Sequence, residues 1–455
     1  MKKIACGLIV VLLAANLTHN THAQDQSTST QWTYPNVDTN QAHIFGNRGQ
    51  LKSIPRKGST YFGQDAQYSS NPPRYQDNGD GTISDLVTGL MWEKQFHRNM
   101  NFQQAKSSAS SNRTAGYDDW RLPTIKELYS LIDFNGSVTR RNPTPYIDTK
   151  YFNFEWGNAT NKNARIIDAQ YISATEYVGT TMGNQPTVFG VNFADGRIKG
   201  YPHRHFSRYV RYVRGNPEYG KNKFVDNSDG TISDQATGLM WTRADSQQAM
   251  NWASALKYAQ TNKTAGYSDW RLPNSKELQS LVDYTRAPQA SDASKRTAAI
   301  DPIFDITKAE SYFWTSTTHY DAPNFVNANY VCFGRAMGYF SPPRSSQAKQ
   351  WMDVHGAGAQ RSDPKSGNPS RYSQGHGPQG DDIRIYNYVR LVRNINPDEV
   401  QIVTPSTSTL PSFSPQSMGG NQGPGADRSS RDGRSNQGSF DRRPPQGGGF
   451  PPPRR

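Results

Sequence analysis

Apolar and polar residues alternate along Thr82-Ile83-Ser84-Asp85 and again along Thr231-Ile232-Ser233-Asp234, the period of strands with one buried face. Each run follows an Asp-Gly pair, Asp80-Gly81 or Asp229-Gly230, which predicts a tight turn feeding the strand. The period then lengthens. Phe102, Ala105 and Ala109 share one face of a helix opened by Asn101, and Trp252, Ala255 and Ala259 share one opened by Asn251. Further on, Leu128, Leu131 and Ile132 return at helical spacing behind Thr124 and Glu127, an arrangement repeated by Asn274 and Glu277. A Thr or Asn followed three residues later by Glu is a capping box, so these four residues are assigned to helix starts. Alternation resumes in Thr187–Phe193 and Val210–Val213. The pattern predicts an α+β unit, two helices packed on a small antiparallel sheet.

That unit occurs twice. Residues 77–92 and 226–241 agree at 13 of 16 positions, and residues 114–134 and 264–284 at 15 of 21, with offsets of 149 and 150 residues. Weaker echoes pair Tyr171–Thr175 with Tyr312–Ser316, and Tyr209–Arg214 with Tyr388–Arg393. So long a period denotes tandem domains, since solenoid units run to roughly 20–50 residues. The copies span residues 74–216 and 223–396, after a weakly structured lead-in at 24–73.

Composition adds an address. Lys2 and Lys3 precede the apolar run Ile4–Leu17, and Thr21-His22-Ala23 supplies a small-residue cleavage site, so residues 1–23 read as a signal peptide and the mature chain as exported. No later stretch reaches the roughly 18 apolar residues of a membrane span. Cys332, the one cysteine left after cleavage, lies in an apolar run and reads as a buried small hydrophobe. Of the formal +13, the segment 405–455 holds seven Arg against three Asp in a Pro/Gly/Ser-rich sequence, which predicts a disordered tail. With the signal's two lysines set aside, +7 remains for residues 24–404. Export makes nucleic acid an unsuitable partner for this charge.

Retention in both copies marks what the module itself demands. Glu127 and Glu277, the glutamates kept in both blocks, have capping roles. Asp77, Asp80 and Asp85 leave room for a loose calcium site, but an EF-hand is excluded because Gln76 and Val87, or Val225 and Ala236, fall on its first and last ligand positions. No nucleophile triad, zinc-ligand spacing or phosphate loop occurs, so no catalytic residue, metal or cofactor is assigned. Ligand recognition is expected where the copies differ. Copy one concentrates Arg197, Lys199, Tyr201, His203, Arg204, His205 and Arg208, and copy two carries a long insert at 341–382 with Arg361, Lys365, Arg371 and His376. Arginine beside aromatic rings suits sulfate or carboxylate groups on sugars.

The strings DGTISDxxTGLMW and GYxDWRLPxxKEL with a closing YVRxVR resemble the domain family typified by the C-terminal domain of the Legionella collagen-like adhesin. By extension the module is similar to the C-type-lectin-like and formylglycine-generating-enzyme group. The resemblance implies a surface or envelope location and binding of sulfated or acidic glycans. The collagen-like stalk is absent, since the C-terminal glycines have no three-residue period. Oxidases of the formylglycine-generating kind hold copper with paired cysteines, which Cys332 cannot supply alone. The expectation is thus an exported, non-catalytic protein recognising an acidic polysaccharide or an envelope partner. The alternatives are a structural envelope component without ligand and an enzyme of the formylglycine-generating type.

Overall fold

A computed structural model describes residues 32–138, 142–157, 165–203, 208–320, 325–341 and 348–410. The expected signal at 1–23, Arg204 and His205 lie outside them. Both Asp-Gly turns form hairpins, Tyr75–Asp77 with Thr82–Asp85 and Phe224–Asp226 with Thr231–Asp234. Asp80 and Asp229 accept from the N–H and hydroxyl of Thr82 and Thr231, and Gly81 and Gly230 adopt φ of 91° and 88°, where a side chain would strain the turn. Each copy has two helices: α1 (Phe102–Ala109) and α2 (Ile125–Ser130), then α3 (Trp252–Thr261) and α4 (Ser275–Ser280). Asn101 and Asn251 cap α1 and α3. Among the described residues strands outnumber helices, and most of the regular secondary structure is sheet.

Three strands of each copy build one central sheet. In copy one these are β1 (Gln170–Thr181), β2 (Gln185–Asn192) and β3 (Arg197–Pro202); in copy two, β4 (Tyr312–His319), β5 (Asn327–Cys332) and β6 (Gln360–Pro364). Their order is β4-β5-β6-β3-β2-β1, continued by Arg208–Val210 and His97–Met100. β3 and β6 meet antiparallel at Ile198 and Gln360, so the copies join edge to edge through equivalent third strands. The largest hydrophobic cluster runs through both, from Trp92, Leu128 and Phe189 to Trp241, Leu278 and Phe313, and a smaller one lies under the first helix of each copy. The modules and lead-in form one compact unit.

The contact between copies is reciprocal. Lys126 on α2 donates to the Ser280 carbonyl at the end of α4 (2.7 Å), and Lys276 on α4 donates to the Ser130 carbonyl at the end of α2 (2.8 Å). Each ammonium thus meets the negative end of the other helix. Such an exchange of equivalent contacts is the geometry of an isologous, two-fold interface, here within one chain. Burial pulls both lysines down to about 8.

Several sequence expectations change. The lead-in is packed: Tyr34, Val37, Ile44 and Phe45 are buried, Thr39 accepts through its carbonyl from Phe134 N–H of copy one, and the Gln41 side-chain amide pairs with the Thr318 backbone of copy two. Its polar side chains are buried by hydrogen bonding, which composition does not register. The insert at 341–382 is likewise no open loop, because it supplies β6 and the hairpin strand Gln350–Asp353 paired with Met337–Phe340. β6 reads Gln-Arg-Ser-Asp-Pro, a polar strand without alternation, buried because strands flank it on both sides. Finally, Ile125 N–H donates to Thr175 and Ser275 N–H to Thr317, so Thr175 corresponds to Thr317 and the echo in β4 begins at Phe313, one residue beyond the sequence pairing. The tail attaches further than expected, since Ser406 N–H bonds to Ala42 and Leu410 N–H to Gln50; residues 411–455 lie outside the described set.

Lys276→Met strips donors from the Asp38 and Ser130 carbonyls at a buried site and is expected to destabilise the chain by about 2–4 kcal/mol. Lys257→Met, at an exposed position, should change little. Denaturant unfolding measures both, and equal stability of the two variants would contradict the reciprocal contact.

Candidate functional site

Residues retained in both copies converge on the turn that enters α2 or α4. Thr124 and Asn274 accept from the N–H of Glu127 and Glu277, whose carboxylates return bonds to the cap N–H (2.8 and 2.9 Å). Both carboxylates also take a two-pronged contact from the arginine of the Trp-Arg-Leu-Pro string, Arg121 or Arg271, at 2.6–2.7 Å. Trp120 and Trp270 donate to the Thr114 and Thr264 carbonyls, while Asp119 and Asp269 pair with Arg214 and Arg393, stacked on Tyr117 and Tyr267 at 3.8 and 3.9 Å. These arginine, glutamate, aspartate and tryptophan side chains of the shared Asp-Trp-Arg-Leu-Pro strings and caps therefore have partners within the fold. Asp77 pairs with Lys94, Asp80 holds its turn, and Asp85 accepts from the N–H groups of Val87 and Thr88. Among the described residues no group of three or more His, Cys, Asp or Glu is arranged to hold a metal. Cys332 is fully buried, which pushes its thiol up.

The copy-specific basic residues meet at the seam between β3 and β6. Lys199 and Arg197 of copy one pair with Asp195 (2.7 and 3.2 Å), and Arg361 of copy two pairs with Asp381, which also holds His355 at 2.9 Å. His319 completes the group, its two ring nitrogens against Arg197 and the Asp195 carbonyl. Burial alone would raise the Asp195 carboxyl, but Lys199 and Arg197 hold it below the usual carboxylate range. Burial also pulls Lys199 to about 8 and, with Arg197 nearby, Arg361 to about 10. Both histidines are driven down by burial and then by arginine charge, so they stay neutral. Three cations thus face two carboxylates. Arg361, nine-tenths buried, has no hydrogen-bond partner at Nε or Nη1 among the described residues.

Not all expected site residues belong here. Tyr201 lies under Arg208, whose guanidinium sits 4.8 Å from the ring, and His376 bridges to Asp381 through its backbone. His203 instead packs on Phe102 beside Glu176. Lys365 is a correction: it is wholly buried between Phe45 and Trp252 and donates to the Phe325 carbonyl, so it serves the core. Arg197, Lys199 and Arg361 are a correction of setting, since they lie on paired strands and not on exposed loops. Arg371 is exposed on a short 3₁₀ turn. Asp195, His355 and Asp381, paired within their own copies, and His319, paired across the seam, were not assigned from sequence because no shared motif contains them. Nor was the hairpin ring pair Tyr339 and Trp351, 4.7 Å apart with Trp351 44% exposed; Tyr339 N–H bonds to the Gly380 carbonyl beside Asp381.

Fold and site define a tandem, sheet-rich, two-module protein with a charged seam. The family model for the Lcl C-terminal domain matches residues 81–214 and 230–352, more than half of the chain, and the chain belongs to that family. The second match stops before β6, so the seam strand of copy two lies beyond the shared pattern. No curated protein and no solved structure matches the chain.

Burial pushes Asp353, which accepts from Tyr177 of copy one, up to about 7 from an ordinary 3.8. Between those values the folded chain holds a proton that the unfolded chain releases, so falling pH adds stability through this group. His319 and His355 act oppositely below their ordinary 6.5, taking up protons on unfolding. Asp353→Asn removes only the favourable response. Unfolding across a pH series should therefore show the variant losing stability more steeply than the parent as pH falls from about 7; parallel profiles would refute the assignment.

Proposed function

We propose that the protein is an exported, non-catalytic binding protein whose seam face recognises the acidic groups of a polysaccharide. The observation that carries this reading is the meeting of Arg197, Lys199 and Arg361 from two copies around two carboxylates, with part of the Arg361 guanidinium unpartnered. Paired cations at the seam supply a fixed positive field, and the more accessible Arg197, Arg208, Arg371 and His376 would make contact. Tyr339 and Trp351 add an exposed aromatic surface of the kind on which sugar rings stack. The engagement of Glu127 and Glu277 in caps and arginine pairs favours binding over catalysis. Two helices against an antiparallel sheet in each copy are compatible with a C-type-lectin-like module, and Lys2, Lys3 and the apolar run Ile4–Leu17 favour export.

Chromatography of the mature chain on immobilised heparin tests the reading. Retention that falls with salt is expected, and Arg197→Ala with Arg371→Ala should elute at clearly lower salt. A chain that passes unretained, or a double variant eluting with the parent, would overturn it.

A further inference from the structure

The reciprocal interface provides two copies of one groove, and only one is filled. In copy two the groove beside Arg271, Asn274, Glu277 and Ser316 has a residual volume of about 10 Å³, because the lead-in lies in it. Asp65 accepts from the Thr317 hydroxyl (2.5 Å), and three residues later the Tyr68 ring stands 5.7 Å from the Arg271 guanidinium. Both contacts come from one contiguous stretch, Asp65-Ala66-Gln67-Tyr68. In copy one the equivalent Arg121, Thr124, Glu127 and Thr175 line an open cleft of about 580 Å³, walled on the far side by Pro217–Asn222 and Asp283-Tyr284. The Arg121 side chain is 35% exposed where that of Arg271 is 5%, and Thr175 is half-buried where Thr317 is fully covered.

A backbone contact separates the grooves in the same way. Phe134 N–H donates to the Thr39 carbonyl of the lead-in, whereas the equivalent Tyr284 N–H, at the open cleft, has no acceptor among the described residues. Lys126, in contrast, is already satisfied by the Gly220 carbonyl, Asn222 and Ser280, so it belongs to the wall and not to the unfilled recognition surface.

We propose that the copy-one cleft is a docking site for a segment of a partner polypeptide that carries a carboxylate followed three residues later by an aromatic ring. The carboxylate would accept from the Thr175 hydroxyl and the ring would cover the Arg121 guanidinium, reproducing in trans what Asp65 and Tyr68 do in cis. Lys221, exposed at the rim, is paired with Glu218 (2.8 Å), so replacing it with Glu would set two carboxylates beside the incoming one. This site is distinct from the seam cluster and does not depend on glycan binding.

The probe is a capped synthetic hexapeptide with the sequence of Gln64–Ser69, titrated into the mature chain by calorimetry and then photo-cross-linked through a benzophenone replacing its tyrosine ring. Saturable one-site binding is expected, with cross-links on Pro217–Asn222 or Tyr284. Peptides altered as Asp65→Asn or Tyr68→Ala should bind at least about tenfold more weakly, as should the parent peptide to Lys221→Glu protein. Absence of binding, equal affinity of the altered peptides, or cross-links around Arg271, which would mean displacement of the lead-in, would each overturn the proposal. So would concentration-dependent self-association lost in Lys221→Glu, because the occupant would then be a second copy of this chain.

Discussion

Two lysines crossing between two short helices hold the arrangement on which the remainder depends. Lys126 and Lys276 sit at matching positions, and each neutralises the carbonyl end of the other copy's helix, Lys276 fully buried and Lys126 half-buried at the cleft wall. An ammonium in such a place is costly unless its donors are used, so the contact specifies how the copies meet as much as it stabilises them. The same approximate two-fold brings β3 to β6, joins the cores and creates the paired grooves. Duplication therefore produced an internal dimer.

That symmetry is broken by what each copy adds. The lead-in crosses the interface on one side, bonding to Phe134 of copy one and Thr318 of copy two, and leaves the opposite side open. At the strand junction, Asp195 and Arg197 of copy one face Arg361 and Asp381 of copy two, a cluster neither copy could form alone. The shared signature builds the scaffold, and chemistry specific to this chain gathers where the two copies differ.

Much of the module was legible in the sequence. Capping boxes, Asp-Gly hairpins and the buried cysteine are local devices whose physics is contained within a few residues. Structure built from polar residues was not. β6 shows no hydrophobic alternation because ion pairs and flanking strands bury it, and in the lead-in Gln41 and Asp65 bond to Thr318 and Thr317, over two hundred positions away. The one-residue slip between Tyr312 and Phe313 has a related origin: both are aromatic, so the ring does not identify the equivalent position, whereas the bond of Ser275 N–H to Thr317 and the pairing of Phe313 with Tyr388 do. Lys365 shows the converse error, a cation read as a surface group whose surroundings are rings and carbonyls.

Scanning calorimetry of residues 24–455 tests the shared core most directly. One cooperative transition, with calorimetric and van't Hoff enthalpies in agreement, is the result expected if the copies fold as a single unit. Two separable transitions, each accounting for about half of the heat, would contradict it.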